Sequence, residues 1–170
     1  MTERDVRPAI SRIERRAIEA LAVAPVMRAI ERRIGRDEAL ALLTEVNQQE
    51  AFDRGRCLAE EYGRNGIDEL VEDVAGWAAG GSMEVEVLQR TPTRFFFDVT
   101  RCPYFETYKE LGLEQYGVAF SCCRDEPFAR GFNPRLRLER KQTIMEGSDR
   151  CDFRYYLEEA GEKAAGRSCP

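Results

Sequence analysis

Apolar and polar residues in the first part of the chain repeat with the period of an α-helix. Ser11 and Glu14 have the spacing of a capping box, in which each side chain satisfies a backbone N–H group of the other. Pro25 lacks a backbone donor, so we expect the helix to break or kink there before its apolar face resumes and ends at Gly35. The expected apolar positions are Ile13, Ile18, Leu21, Val26, Ile30 and Ile34.

A second long helix is predicted from Glu38 to Tyr62, because Asp37 is a favourable N-cap residue and apolar positions recur at helical spacing. A shorter helix is predicted from Asp68 to Trp77. The N-terminal half of the chain is therefore predicted to be helical, and its two long helices offer a possible homodimer face.

The period then changes to two, which is typical of β-strands. Thr91-Pro92 separates two alternating runs, which we expect to pair as an antiparallel hairpin, and a turn at Gly147 separates two later runs. The apolar positions of the four runs are Met83, Val85 and Val87; Phe95, Phe97 and Val99; Leu136 and Leu138; and Cys151, Phe153 and Tyr155.

Short helices are predicted between the two hairpins. Pro103 suits the first position of a helix, with Cys102 just before it as the N-cap residue. The predicted helices cover Tyr104 to Leu111 and Glu114 to Phe120, and a loop is predicted from Arg130 to Pro134. This order predicts an α+β domain of N-terminal helices followed by a mainly antiparallel four-stranded sheet, made of two hairpins with intervening short helices. We expect one domain over residues 1–160 and a flexible tail over 161–170.

Composition narrows the classes of function. The net charge of −5 leaves no basic excess to neutralise phosphates, which argues against a nucleic-acid partner. No apolar run approaches the roughly 18 residues that span a bilayer, so no membrane partner is expected. The charged segment Met1 to Pro8 is not followed by the apolar core of a signal peptide, and we expect a cytoplasmic location.

The chain contains no histidine, so thiolates, carboxylates, arginines, hydroxyls or a bound metal must carry any chemistry. Cys102 is the first candidate nucleophile. A helix N-cap position, together with the neighbouring charge of Arg101, is expected to lower its pKa and favour the thiolate. The alternative is a cysteine that is simply buried at a strand end.

Cys122 and Asp125 are three residues apart, which places both on one side of a helix. Asp125 is therefore a candidate proton acceptor, and a cap or loop residue is its alternative. Cys151 is a further catalytic candidate, although it shares a strand face with apolar residues. Asp152, Arg140 and Arg154 are candidates for holding a substrate carboxylate, because guanidinium groups bind carboxylates through two hydrogen bonds. The alternative for these three is a surface ladder of ion pairs.

A zinc ion is the alternative to a site without cofactors. Three thiolates and a carboxylate are acceptable tetrahedral ligands, although no CxxC pair is present. The candidate ligands are Cys102, Cys122, Cys151 and Asp125.

The residues of the second half, taken in order, form a pattern that resembles the L-2-amino-thiazoline-4-carboxylic acid hydrolase family. The resemblance covers roughly Glu38 to Leu157, and its motifs lie between Phe97 and Tyr155. The layout is also similar to a broader helix-flanked, four-stranded class that includes vinyl-reductase-associated small-molecule-binding domains and vesicle-tethering subunits. The matching residues are Phe97 to Tyr104, Lys109 to Gly112, Cys122, Asp125, Phe132-Asn133-Pro134, Arg140, Thr143, Gly147 and Cys151 to Arg154.

The resemblance implies a hydrolase that opens a small ring containing sulfur and nitrogen, to give an N-carbamoyl amino acid. We therefore predict cleavage of a cyclic carbon–nitrogen bond through a cysteine nucleophile, with no cofactor and with a small substrate that bears a carboxylate. Arg101 and Thr143 are added as substrate-binding candidates. The alternatives are a non-catalytic module that binds a small ligand, and a sensor of metal or redox state.

Overall fold

The computed structural model describes residues 10–78 and 83–158. The predicted tail 161–170 and the charged segment before Pro8 lie outside the described residues. The helices are α1 (Arg12–Ile34), α2 (Arg36–Tyr62), α3 (Ile67–Ala78), α4 (Pro103–Glu110), α5 (Gly117–Phe120) and α6 (Asp125–Phe132). The strands are β1 (Glu84–Thr91), β2 (Arg94–Arg101), β3 (Leu136–Glu139) and β4 (Cys151–Leu157). Short 3-10 turns cover Glu114–Tyr116, Cys122–Arg124 and Ile144–Glu146.

The capping box at the start of α1 is confirmed. The backbone N–H of Ser11 donates to Glu14 Oε2 at 2.8 Å, and the N–H of Glu14 donates to Ser11 Oγ at 3.1 Å. The predicted break at Pro25 is wrong, because α1 is one continuous helix. A helical proline removes one hydrogen bond, and here Ala24 and Met27 on either side of it are buried in packing that holds the helix together.

The predicted N-cap of the second helix is also wrong. Gly35 ends α1 and begins α2, and Asp37 lies inside the first turn of α2. The backbone of Gly35 has a φ of 89°, which favours glycine and lets the two helices follow each other without a linker. Asp37 still complements the positive end of the helix dipole from this position.

The four strands form one antiparallel sheet in the order β1-β2-β4-β3, as two hairpins, so the predicted α+β architecture is confirmed. Phe97 pairs with Phe153 and Val99 with Cys151, and all four side chains lie on the face that packs against the helices. Strand β1 lies at the edge of the sheet, and Val87 is 56% exposed although it pairs with the buried Phe97.

Helix α6 occupies most of the segment predicted as a loop from Arg130 to Pro134, and that prediction is wrong. Two glycines let α6 lie directly against α2. A Cβ atom on Gly131 would overlap the backbone carbonyl of Phe52, and one on Gly55 would overlap the carbonyl of Phe128. This close approach matters for the site, because Asp125 is the first residue of α6.

Two apolar clusters hold the fold together. One joins the inner sheet face to α2, α3 and α6, and the other joins α1 and α2 to α4, α5 and the Glu114–Tyr116 turn. Apolar side chains also remain exposed on α1, at Ile18, Leu21 and Val26, so homodimer formation stays a prediction. Among the described residues, none of the helices combines the length and apolarity needed to cross a membrane.

Candidate active site

A cavity of about 430 Å³ lies where the two apolar clusters meet. The N-terminal part of α1 and the middle of α2 form one wall, and the ends of β2 and β4 form the other. A larger and more open groove of about 930 Å³ runs between α2 and α6, but none of the predicted site residues lines it. The predicted residues that do line the cavity are Cys102, Cys122, Asp125, Arg140 and Cys151.

Cys102 occupies the predicted N-cap position of α4, and Pro103 is the first residue of that helix. Its thiol is half-buried and faces the cavity. The predicted lowering of its pKa is wrong. Burial raises the pKa of Cys102, the amides of Phe105 and Tyr104 oppose that shift, and the charge of Asp125 adds to it. The expected effect of the helix terminus is therefore present but smaller than the cost of desolvating a thiolate.

Asp125 and Arg140 form a close ion pair at the cavity wall. A second nitrogen of Arg140 donates to the backbone carbonyl of Cys122 at 2.8 Å, and its guanidinium packs over the Phe153 ring at 5.1 Å. Burial raises the pKa of Asp125 above its ordinary value, and the charge of Arg140 opposes this shift. Burial lowers the pKa of Arg140, but the charges of Asp125 and Cys122 raise it more, so the guanidinium stays protonated.

The other described thiols are less suited to attack. Burial raises the pKa of Cys122 well above that of an ordinary thiol, and the charge of Asp125 adds to the shift. Burial raises the pKa of Cys151 to about 11, although its sulfur accepts a hydrogen bond from the amide of Ile144 at 3.3 Å. Cys123 does not line the cavity, and its thiol donates to the carbonyl of Ala119 at 3.1 Å. The pKa shift at Cys102 is smaller than at these three thiols.

Two predicted substrate-binding arginines lie outside the cavity. Arg101 is exposed and binds both carboxylate oxygens of Glu106, at 2.8 and 2.9 Å. Arg154 lies on the outer face of the sheet, where it donates to Asp98 at 2.8 Å and packs over Phe96. The polar group predicted from Asp152, Arg140 and Arg154 is not assembled, because the two arginines lie on opposite sides of the sheet.

Asp152 and Thr143 shape the connection between β3 and β4. One carboxylate oxygen of Asp152 accepts hydrogen bonds from the amides of Lys141 and Gln142, at 2.9 and 2.8 Å. Thr143 is 2% exposed and caps the Ile144–Glu146 turn by accepting from the amide of Glu146 at 3.1 Å. Arg140 and Met145 reach the cavity from this connection, whereas Asp152 and Thr143 do not line it.

The alternative zinc ligands are not arranged as a metal site. Across residues 10–78 and 83–158, no three Cys, Asp or Glu side chains lie close enough together to hold a metal ion. The carboxylate of Asp125 is also engaged by Arg140. The geometry of the thiols therefore gives the zinc alternative no support.

Several basic residues of the two long helices also line the cavity, although none of them was among the predicted site residues. Arg12, Arg15 and Arg16 of α1 and Arg54 of α2 line the cavity. Arg12 is held by the buried carboxylate of Asp73 at 2.9 Å. Arg15 and Arg54 are exposed and form no ion pair within the described part of the chain. Arginines spaced three or four residues apart on α1 were the signal that could have placed them together on one helix face.

Arg124 also lines the cavity and was missed. It forms a close ion pair with Glu50 and donates to the Asn47 side-chain oxygen at 3.2 Å. These contacts tie the Cys122–Arg124 turn to α2. Asp125 is therefore positioned from two directions, by this turn and by the close packing of α6 on α2.

The direction of the thiol shifts predicts how the cysteines react with pH. Raised pKa values leave the thiols protonated at neutral pH, so alkylation of Cys102 should be slow at pH 7 and accelerate above the ordinary thiol pKa of about 8.5. Cys122 should react more slowly than Cys102 throughout. Limited alkylation with iodoacetamide followed by peptide mass spectrometry measures both rates. Rapid alkylation of Cys102 that reaches a plateau below pH 8 would contradict the raised pKa.

These features define a small α+β domain with a half-buried thiol and a carboxylate–guanidinium pair facing one cavity. The family model described as L-2-amino-thiazoline-4-carboxylic acid hydrolase matches residues 15–155. The chain therefore belongs to the L-2-amino-thiazoline-4-carboxylic acid hydrolase family, as the resemblance in its second half predicted. No curated protein matches the chain.

A similar solved structure is that of a trafficking protein particle complex subunit 3 from Naegleria fowleri, covalently bound to palmitic acid. It aligns with a TM-score of 0.51 at 12% sequence identity, over 88% of this chain and 98% of that chain. At this identity the likeness concerns the fold alone. It agrees with the layout predicted from the order of helices and strands.

Proposed function

We propose that the protein hydrolyses a cyclic carbon–nitrogen or related bond of a small heterocycle, with Cys102 as the nucleophile. The observation that carries the proposal is that the Cys102 thiol and the Asp125–Arg140 pair line the same cavity. Membership of the hydrolase family supports the type of reaction. The cysteine mechanism and the bond that is cleaved are part of the proposal.

The raised pKa of Cys102 requires that its proton is removed within the site. Asp125 is close enough for its charge to act on the Cys102 thiol, and burial makes this carboxylate a stronger base than an exposed one. In the proposed step, the sulfur attacks an amidine-like ring carbon while its proton passes to Asp125. The single ring bond from that carbon to nitrogen or sulfur then breaks, and the departing ring atom takes the proton from Asp125. A thioimidate is left, in which the carbon keeps its double bond to nitrogen and is bound to the Cys102 sulfur.

Water completes the reaction. It adds to the thioimidate carbon, and the carbon–sulfur bond to Cys102 breaks, which releases the opened product and restores the thiol. The sum of both steps is the addition of one water molecule to the substrate. All proton transfers use Asp125, Cys102 and water.

Arg15 and Arg54 are the proposed binding groups for a substrate carboxylate, in place of Arg101 and Arg154. Both line the cavity, and neither has an ion-pair partner among the described residues. A guanidinium without a partner can bind an incoming carboxylate without first breaking another ion pair. Arg140 can add to this binding only if its contact with Asp125 loosens.

The test offers L-2-amino-thiazoline-4-carboxylic acid and related carboxylated rings to the purified protein and follows ring opening by mass spectrometry. Replacing Arg54 by glutamine should raise KM roughly tenfold and change kcat less, because the lost contact binds substrate and transition state alike. Arg33→Gln is the matched control, since Arg33 is an exposed arginine that does not line the cavity. An unchanged KM in Arg54→Gln would remove Arg54 from the binding site.

The second candidate is a module that holds a ligand on Cys102 without turnover. The structure of similar fold is described as covalently bound to palmitic acid, and this chain places a thiol in a cavity. The charged lining disfavours a long hydrocarbon chain and favours a short polar ligand. A stable mass adduct on Cys102 in the protein as purified, with no ring opening, would favour this candidate.

A further inference from the structure

Tyr155 carries a buried hydroxyl group that the proposed reaction does not use. The residue lies on β4, on the same face as Cys151 and Phe153, and is 0% exposed. Its ring stacks with Phe97 and Phe153, at centroid distances of 6.2 Å each. Its hydroxyl has no hydrogen-bond partner among the described residues.

An unpartnered buried hydroxyl is unfavourable, because the group gives up its hydrogen bonds to water and gains none in return. Phenylalanine would fill the same space without that cost. Tyr108 shows the usual arrangement in this protein, since its buried hydroxyl lies 2.8 Å from Ser121 Oγ. The oxygen of Tyr155 therefore calls for a reason other than packing.

The surroundings of the hydroxyl point to the cavity wall. The charges of Asp125 and Arg140 both act on the Tyr155 hydroxyl, and Asp73 and Glu126 act on it more weakly. Tyr155 does not itself line the cavity. The Phe153 ring contacts both the Tyr155 ring, at 6.2 Å, and the Arg140 guanidinium, at 5.1 Å, so the Tyr155 side chain lies beside the Asp125–Arg140 pair. Burial raises the pKa of Tyr155 well above its ordinary value, so the hydroxyl keeps its proton and can act as a donor.

We propose that Tyr155 is a positioning residue, whose hydroxyl donates a hydrogen bond to Asp125 when Arg140 turns from Asp125 to the substrate carboxylate. This inference rests on the proposed function. Arg140 cannot hold Asp125 and a substrate anion equally well. When it leaves, the buried carboxylate loses its partner just as it must accept the proton of Cys102. Tyr155 then keeps Asp125 oriented and ionised.

Stability measurements test this without any need for turnover. Arg140→Met removes the guanidinium and reproduces the state in which Asp125 has lost its partner. Urea unfolding is compared for the wild type, Tyr155→Phe, Arg140→Met and the double variant. In the wild-type background, Tyr155→Phe should leave the folding equilibrium constant unchanged or raise it. In the Arg140→Met background, the same substitution should lower that constant roughly tenfold. An equal effect of Tyr155→Phe in both backgrounds would overturn the proposal. If Arg140→Met does not fold, Arg140→Gln takes its place, because glutamine also lacks the charge that pairs with Asp125.

Kinetics add a readout that packing alone would not change. In Tyr155→Phe, kcat should fall about tenfold with KM nearly unchanged, and the acidic limb of the kcat profile should move to higher pH. The acidic limb moves to higher pH because loss of a hydrogen-bond donor to a carboxylate raises the pKa of that carboxylate. The other groups whose charges act on Asp125, Tyr155 or the cavity thiols are Arg16, Asp73, Cys102, Glu106, Cys122, Arg124, Glu126, Arg140 and Cys151.

Tyr156→Phe is the matched control. Tyr156 is the next residue of β4, points to the outer face of the sheet and packs on Phe96 at 5.0 Å, so its variant should keep the wild-type profile. Coupling between Tyr155 and Arg140 in a protein that opens no ring would support the link to Asp125 and count against the hydrolase. Ring opening without that coupling would support the proposed hydrolase function and overturn the positioning role of Tyr155.

Discussion

Replacement of Cys102 by alanine should lower the rate of ring opening by about a thousandfold or more, because the proposed reaction then has no nucleophile. The effect should fall on kcat, since the proposed substrate contacts of Arg15 and Arg54 do not involve the thiol. Cys102 is half-buried, so the stability of the variant should change little. Steady-state kinetics on the best substrate, together with urea unfolding of the same samples, measures both effects.

Cys123→Ala is the control for this experiment. Cys123 is the neighbour of Cys122, but its thiol donates to a backbone carbonyl and does not line the cavity. We expect it to keep nearly full activity. Full turnover in Cys102→Ala would contradict the hypothesis that Cys102 is the nucleophile. A loss in Cys151→Ala alone would move the nucleophile to β4.

Replacement of Gly131 by alanine should destabilise the protein by about 3 kcal/mol or more, and it should lower activity as well. The new methyl group would overlap the carbonyl of Phe52, which is backbone and cannot rotate away. Helix α6 would then have to move off α2 and carry Asp125 with it. Urea unfolding gives the change in stability, and alkylation of Cys102 reports whether the cavity has opened.

Gly76→Ala is the matched control in another helix. A Cβ atom on Gly76 would meet the end of the flexible Arg12 side chain at 3.2 Å, and that side chain can adjust. Alanine is also the better helix former, by about 1 kcal/mol. We expect Gly76→Ala to be neutral or stabilising. Equal stability of Gly131→Ala and Gly76→Ala would show that the close packing of α2 on α6 is not required.

Local patterns predicted most of the elements that frame the site. The capping box at Ser11, the alternation in β2 and β4 and the Cys102-Pro103 pair each depend on a few neighbouring residues. Each was found where it was expected. Helix α6 was missed, although the acidic residues of its first turn and Pro127 near its start are typical of a helix N-terminus.

Residues of the same type can lie in different environments of the fold, and the local sequence pattern does not distinguish them. Arg140 directly follows β3 and Arg154 lies within β4, yet one faces the cavity and the other lies on the outer face of the sheet. The closest approach of α2 and α6 depends on Gly55 and Gly131, which are 76 positions apart and carry no mutual pattern in the chain. Which helix arginines face the thiol was likewise decided by packing.

The sequence by itself determined the architecture, the family and the short list of thiols and carboxylates, because these follow from periodicity, capping and motif order along the chain. The tertiary structure alone decided that Cys102, Asp125 and Arg140 share a cavity with Arg15 and Arg54. It also decided that the pKa of the Cys102 thiol is raised and not lowered. A helix terminus acts on Cys102 from adjacent residues, whereas desolvation depends on every atom packed around the sulfur, and here desolvation is the larger effect.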